Sequence, residues 1–185
     1  MAQILKGAPV VAAMNEANAA RCAALKEKGI VPTLAVVRVG AREDDISYEK
    51  GIVTRCGKVG VEVRQFHLAE DVTQEELLDV IRQINGDASV HGCLIFRPLP
   101  KRFDDRRVQE ALAPEKDVDG FHVMNAGKLL TGTGGFMPCT PYGVMKMIES
   151  VGYDLTGKEA VVVGRSNIVG KPQALMLLAK NATVT

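Results

Sequence analysis

The run Val161-Val162-Val163-Gly164-Arg165-Ser166-Asn167-Ile168-Val169-Gly170 has the most informative spacing in the chain. Three β-branched residues lead into a glycine-bounded turn and then into an apolar, helix-forming stretch. Strand, glycine turn and helix in that order mark the place where a doubly wound sheet receives a dinucleotide. Gly164 is expected to allow a sharp turn, and unpaired amides at the helix start would meet a pyrophosphate, helped by the helix dipole. The spacing is Gly-x5-Gly rather than Gly-x-Gly-x-x-Gly. The pattern alone therefore leaves nucleotide binding and an ordinary strand-to-helix turn both open. Arg165 has two readings as well: a partner for a 2′-phosphate, which favours NADP, or a solvated loop arginine.

The other reactive side chains give weaker signals. Cys22, Cys56, Cys93 and Cys139 contain no Cys-x-x-Cys pair and read as reduced, mostly buried thiols. Cys139, in Pro-Cys-Thr-Pro, reads as a small buried residue rather than a nucleophile. His67, His91 and His122 have no carboxylate or serine partner at informative spacing, so none is read as catalytic or metal-binding, and no metal is expected. Asp117 and Asp119 each admit a turn or helix-cap reading. Glu75-Glu76 and Asp104-Asp105 read as solvated faces.

The elements that must position these residues alternate between strand and helix patterns. Residues 8–28 are Ala-rich and end at Gly29, a helix with its glycine near the C′ position. Residues 33–39 form an apolar, β-branched run, a mostly buried strand. A loop at 41–46, a helix at 47–58 and a strand at 61–67 follow. Thr73 opens a capping-box pattern before apolar residues at helical spacing. A strand at 90–96 runs into Pro98-Leu99-Pro100. Pro141 is expected to open a helix over 141–151. A strand at 159–163, a helix at about 170–180 and the start of a fifth strand at 182–185 complete the pattern. Strands separated by helices of this length imply βαβ units and parallel sheets, an α/β protein. The Pro- and Gly-bearing region 120–141 separates two such groups. The expected domains are 1–138 and 139–185. A two-stranded sheet in the second could not bury both faces, so a further C-terminal portion is expected beyond Thr185.

Composition narrows the partners. The 185 residues are 46% hydrophobic and 24% charged, with a formal net charge of +1, the profile of an ordinary globular protein. No basic stripe interleaved with aromatics points to nucleic acid. No leader pattern and no apolar run of about 20 residues point to export or a membrane span. A cytoplasmic setting is the expectation.

Four segments in order carry a resemblance to a known family: Lys116-Asp117-Val118-Asp119-Gly120-Phe121-His122, Asn125-Ala126-Gly127-Lys128-Leu129, Pro138-Cys139-Thr140-Pro141-Tyr142-Gly143, and Gly164 through Pro172. Together they resemble the methylenetetrahydrofolate dehydrogenase/cyclohydrolase family over essentially the whole chain. The resemblance implies an N-terminal α/β domain, a Rossmann domain for NADP, and a tetrahydrofolate one-carbon derivative bound in a cleft. It implies that Asp119 faces the pterin and Tyr48 stacks along the folate, with Pro98 and Leu99 as further substrate contacts. It assigns Gly164, Arg165, Ser166, Ile168 and Gly170 to the cofactor, makes Tyr48 and Asp119 the catalytic candidates, and implies a homodimer.

Two positions depart from the family pattern. The family commonly carries Tyr-x-x-x-Lys on the helix after the first strand; here Tyr48 is followed four residues later by Ile52. Lys50 is displaced by roughly 200° around that helix. The family usually has Val-Gln-Leu-Pro-Leu-Pro after the third strand; here the segment reads Ile95-Phe96-Arg97-Pro98-Leu99-Pro100, with Phe96 in place of the Gln. Hydride removal from the methylene carbon needs aligned rings and no general base, because the cofactor carries the hard chemistry. Water addition to the methenyl product needs a positioned base. Ile52 and Phe96 supply none, so the expectation is a dehydrogenase with a weak or absent cyclohydrolase step. Full bifunctionality, with rescue by Arg55, Arg97 or Lys50, and a non-catalytic folate-binding fragment are the alternatives.

Overall fold

The computed structural model describes residues 4–185. It is an α/β chain that divides into two compact units, residues 14–117 and residues 118–185 together with the stretch up to Ala13. Helix α1 (Gly7–Glu27) spans that boundary, and Gly29 takes the left-handed conformation just beyond it.

The unit 14–117 contains β1 (Thr33–Val39), α2 (Glu43–Val59), β2 (Glu62–Leu68), α3 (Gln74–Gly86), β3 (Gly92–Ile95) and α4 (Asp105–Ala111). The strands form a parallel sheet in the order β2-β1-β3, each crossover made by a helix. Register pairs Val37 with Phe66 and Ile95, and Arg38 with His67. β1 is central and buried along almost its whole length, whereas edge strand β2 stays half-exposed. Ala35, Val36 and Val37, with Leu77, Ile81 and Ile84 of α3, Ile95, Val108 and Leu112, make the buried core.

Helix starts follow local chemistry. Thr73 caps α3 with the reciprocal Glu76 bond that its sequence announces. α2 begins at Glu43 rather than at residue 47, because Glu43, Asp44 and Asp45 complement the helix dipole. Gly60, left-handed, closes it by donating to Cys56 and Gly57 carbonyls. α4 is capped by Asp104, whose carboxylate accepts from the Arg106 and Arg107 amides. Its seven residues are too few to show a period, so the sequence pattern does not announce this helix.

The unit 118–185 holds α5 (Val123–Thr131), α6 (Cys139–Ser150), β4 (Glu159–Ala160), α7 (Gly170–Leu178) and β5 (Thr183–Val184). α5, nine residues long, is a second helix that the sequence pattern does not announce. α6 starts at Cys139, which leaves Pro141 in its first turn, where a missing N–H costs nothing. β4 and β5 pair in parallel, Glu159 with Thr183 and Ala160 with Val184. The strand expected over 159–163 stops at Ala160. Beyond it the Val162 amide donates to the Thr185 carbonyl at 2.8 Å and the Val162 carbonyl accepts from Gly164 N at 3.1 Å, while Val161 and Val163 are 74% and 98% exposed. The core is Met145, Met176, Leu177 and Ala182, flanked by Leu129, Ile148, Leu155 and Val162. Among the described residues, no helix is long and apolar enough to cross a membrane.

Candidate functional site

Tyr48 projects from the first half of α2 and is 63% exposed. Its ring centroid lies 5.4 Å from that of Phe96 at an interplanar angle of 49°, a tilted aromatic pair. Phe96 is buried at the end of β3, so the strand's C-terminal end carries a hydrophobic seat under Tyr48. Ile52, one turn along α2, is half-buried. A cis peptide joins Arg97 to Pro98; Pro98 is exposed and Leu99 half-buried. Arg97 is engaged with Asp105 at the start of α4.

Next to Tyr48, Glu49 is the only buried residue of α2, 3% exposed. Its Oε2 accepts from Arg38 Nε at 2.9 Å, and its Oε1 accepts from Gln65 Nε2 at 2.9 Å and His67 Nε2 at 2.7 Å. Arg38, 7% exposed, also donates to the Gly40 carbonyl. Burial pushes the Glu49 carboxyl up, but hydrogen bonds from His67, Gln65 and Arg38 outweigh it and hold the group below the ordinary carboxylate value. Sequence reading missed this cluster. The available signal was an arginine in the otherwise apolar strand Thr-Leu-Ala-Val-Val-Arg-Val, because a buried arginine demands an acidic partner. His67 does have a carboxylate partner, but one that only the tertiary fold supplies.

In the second unit Asp119 sits half-buried in a turn. That turn is fixed by backbone proximity. Gly120 has φ +63°, and a Cβ there would stand 2.7 Å from the Phe136 carbonyl oxygen and 2.9 Å from Pro138 N. Cys139 Sγ donates to the Val118 carbonyl at 3.6 Å. The Asp-Val-Asp-Gly and Pro-Cys-Thr-Pro segments are thus clasped together at the start of α6. Cys139 is exposed there, not buried as expected. His122 caps α5, its Nδ1 accepting from the Met124 amide at 3.0 Å, which assigns that ring a structural task.

The turn before α7 departs from expectation in two ways. The steric demand falls on Gly170: a Cβ there would lie 2.3 Å from the Gly164 oxygen and 2.8 Å from Arg165 N, whereas a Cβ on Gly164 would meet only the Gly170 Cα at 3.7 Å. The helix-start amides are also already engaged. Ser166 Oγ accepts from Val169 N at 3.0 Å and Gly170 N at 3.4 Å, and the Ser166 carbonyl accepts from Lys171 N at 3.1 Å. Ser166 therefore braces the turn from within. Beside it runs a groove of about 530 Å³ lined by Val161, Val163, Gly164, Arg165, Ser166 and Gly170, with Val144, Ile148 and Leu177 among its apolar walls. Ile168, 47% exposed, is not part of that lining. Arg165 is exposed and has no side-chain partner among the described residues. Among those residues no group of three or more His, Cys, Asp or Glu is arranged to hold a metal.

Residues 5–119 match the family model "Tetrahydrofolate dehydrogenase/cyclohydrolase, catalytic domain", and residues 138–185 match its "NAD(P)-binding domain". The chain is 48% identical over 186 residues to the bifunctional protein FolD of Alkaliphilus oremlandii and 50% identical over 184 residues to that of Variovorax paradoxus. In each case it is covered completely and spans 65% of the relative's length. Among solved structures, the bifunctional FolD of Campylobacter jejuni superposes with a TM-score of 0.96 at 43% identity, over 99% of this chain and 65% of that one. The Trypanosoma brucei dehydrogenase-cyclohydrolase, complexed with NADP cofactor and inhibitor, does so with a TM-score of 0.93 at 30% identity, over 100% of this chain and 63% of that one.

Proposed function

The chain belongs to the tetrahydrofolate dehydrogenase/cyclohydrolase family, and on that premise we propose that the protein oxidises 5,10-methylenetetrahydrofolate to 5,10-methenyltetrahydrofolate with NADP, and hydrolyses the product poorly. The observation that carries the second half is the Tyr48–Phe96 contact with Ile52 one turn away. Phe96 and Ile52 carry no group that can take a proton from water, which the hydrolytic step needs.

In this reading Tyr48, Pro98 and Leu99 contact the folate and Asp119 orients the pterin by hydrogen bonding. The groove beside Gly164–Gly170 suits a dinucleotide on two counts. The backbone passes close enough at Gly170 to exclude any side chain, and Arg165 has no side-chain partner among the described residues to give up before meeting a 2′-phosphate. Ser166 keeps its hydroxyl hydrogen to donate while its oxygen braces the turn. Bound nicotinamide supplies the hydride acceptor. The chain's residues have only to align and shield the reacting carbon. Of the three basic side chains that could rescue the hydrolytic step, Arg97 is paired with Asp105, and Lys50 and Arg55 are exposed. The same reading places folate binding in residues 1–138, cofactor binding from residue 139 onward, and the whole as a cytoplasmic homodimer.

The test follows 5,10-methylenetetrahydrofolate oxidation by the full-length protein with NADP and, separately, NAD. Accumulation of the methenyl absorbance with NADP is expected. Methenyl loss well above the buffer rate would overturn the hydrolytic half, and absence of NADP reduction would overturn the whole reading.

A further inference from the structure

The Glu49 cluster lies outside every role assigned so far, yet it occupies the residue next to Tyr48. α2 is tied by Glu49 to both β1 and β2: to Arg38 on β1, and to Gln65 and His67 on β2. Tyr48, about 100° around the helix, reaches instead toward Phe96 at the end of β3, on the other side of β1. Apolar contacts are non-directional and let a helix roll or slide slightly on a sheet. A carboxylate with both oxygens engaged by three side chains on two strands does not allow that roll. All other α2 residues are exposed or half-exposed, so this polar anchor is the only fully buried fastening along the helix.

We propose that Glu49 is a positioning residue: its bonds to Arg38, Gln65 and His67 fix the rotation of α2 and so hold the Tyr48 ring against Phe96 in the orientation that receives the folate. The part concerning substrate rests on the functional reading above; the part concerning Tyr48 does not. Glu49 touches no reacting atom and acts through Tyr48.

The experiment uses the full-length protein and a variant that keeps the fold. Glu49→Leu alone strands the buried Arg38, so it is combined with Arg38→Met. Replacing a buried ion pair by apolar residues of similar size is often neutral for stability, and exposed Gln65 and half-exposed His67 can turn to water. Glu49→Gln, which keeps one acceptor oxygen, serves as the conservative rescue. These 185 residues hold three tyrosines, Tyr48 among them. In the fluorotyrosine-labelled protein, Tyr48→Phe identifies the signal from Tyr48.

With Tm close to the parent's, the double variant should shift or broaden the Tyr48 fluorine signal. It should also raise the KM for the folate substrate roughly tenfold or more while leaving the KM for NADP unchanged. Glu49→Gln should fall between the two. A purely structural role would leave both readouts at parent values in a folded double variant, and that result overturns the proposal. An unmoved fluorine signal overturns it whatever the kinetics show. A Tyr48→Ala enzyme with an unchanged folate KM would instead bring down the folate assignment of Tyr48, and the fluorine signal would still decide the role of Glu49.

Discussion

In residues 14–117, Tyr48 stands on a helix that Glu49 ties to a central strand buried along nearly its whole length. In residues 118–185, the turn at Gly164 stands on a two-residue ladder above a core of Met145, Met176, Leu177 and Ala182. The first unit holds its site by burying side chains and one charged cluster. The second holds its site by bringing backbone against backbone, at Gly120 beside Phe136 and at Gly170 beside Gly164. The two arrangements should fail in opposite ways. The first is damaged by removing atoms and the second by adding them.

The sharpest contrast is in stability. Ile81, fully buried, should cost about 4 kcal/mol as Ile81→Ala, near the upper end for such deletions. Met176→Ala, in the thinner core, should cost about 2 kcal/mol, because its site can relax toward solvent. Urea unfolding followed by circular dichroism measures both, and equal costs would break the distinction between the units.

Next comes addition of a single carbon. Gly170→Ala should weaken NADP binding roughly a hundredfold, because the new Cβ forces the turn away from Gly164. Gly164→Ala should weaken it far less, since its Cβ meets only an ordinary contact within the protein and leaves the turn in place. NADP titration of both variants checks this, and the reverse order would mean the close approach does not shape the cofactor turn.

The smallest effect concerns acid. Glu49 is held below its ordinary value, so its charged form contributes stability that is complete above the unfolded value of about 4.3 and is lost as pH falls through the lower folded value. The parent should therefore lose stability toward pH 3 more steeply than Glu49→Gln, although the variant starts lower at neutral pH. Urea midpoints at neutral and acid pH compare the slopes; parallel slopes would remove Glu49 from the acid response of the first unit.

Local signals were the legible ones. The buried strand at Thr33–Val39, the Thr73 capping box and the glycines ending α1 and α2 all lie where their residue types require. The motif segments were legible as a resemblance. The short helices α4 and α5 were not, because each rests on a single capping side chain, Asp104 or His122, rather than on a repeating pattern. The engaged amides of the Gly164 turn were hidden too, since a serine two residues past a glycine looks the same whether it braces the turn or meets a ligand.

By itself the sequence determined the alternation of strand and helix, the parallel connection that follows from it, and the replacement of two polar family positions by Ile52 and Phe96. Each of these depends on residue type or on neighbours within one turn. Only the tertiary structure decided that Arg38, Glu49, Gln65 and His67 meet, that Tyr48 leans on Phe96, and that Gly170 rather than Gly164 bears the close approach. Those facts depend on how strands register and helices roll, distances between residues far apart in the chain that no local pattern encodes.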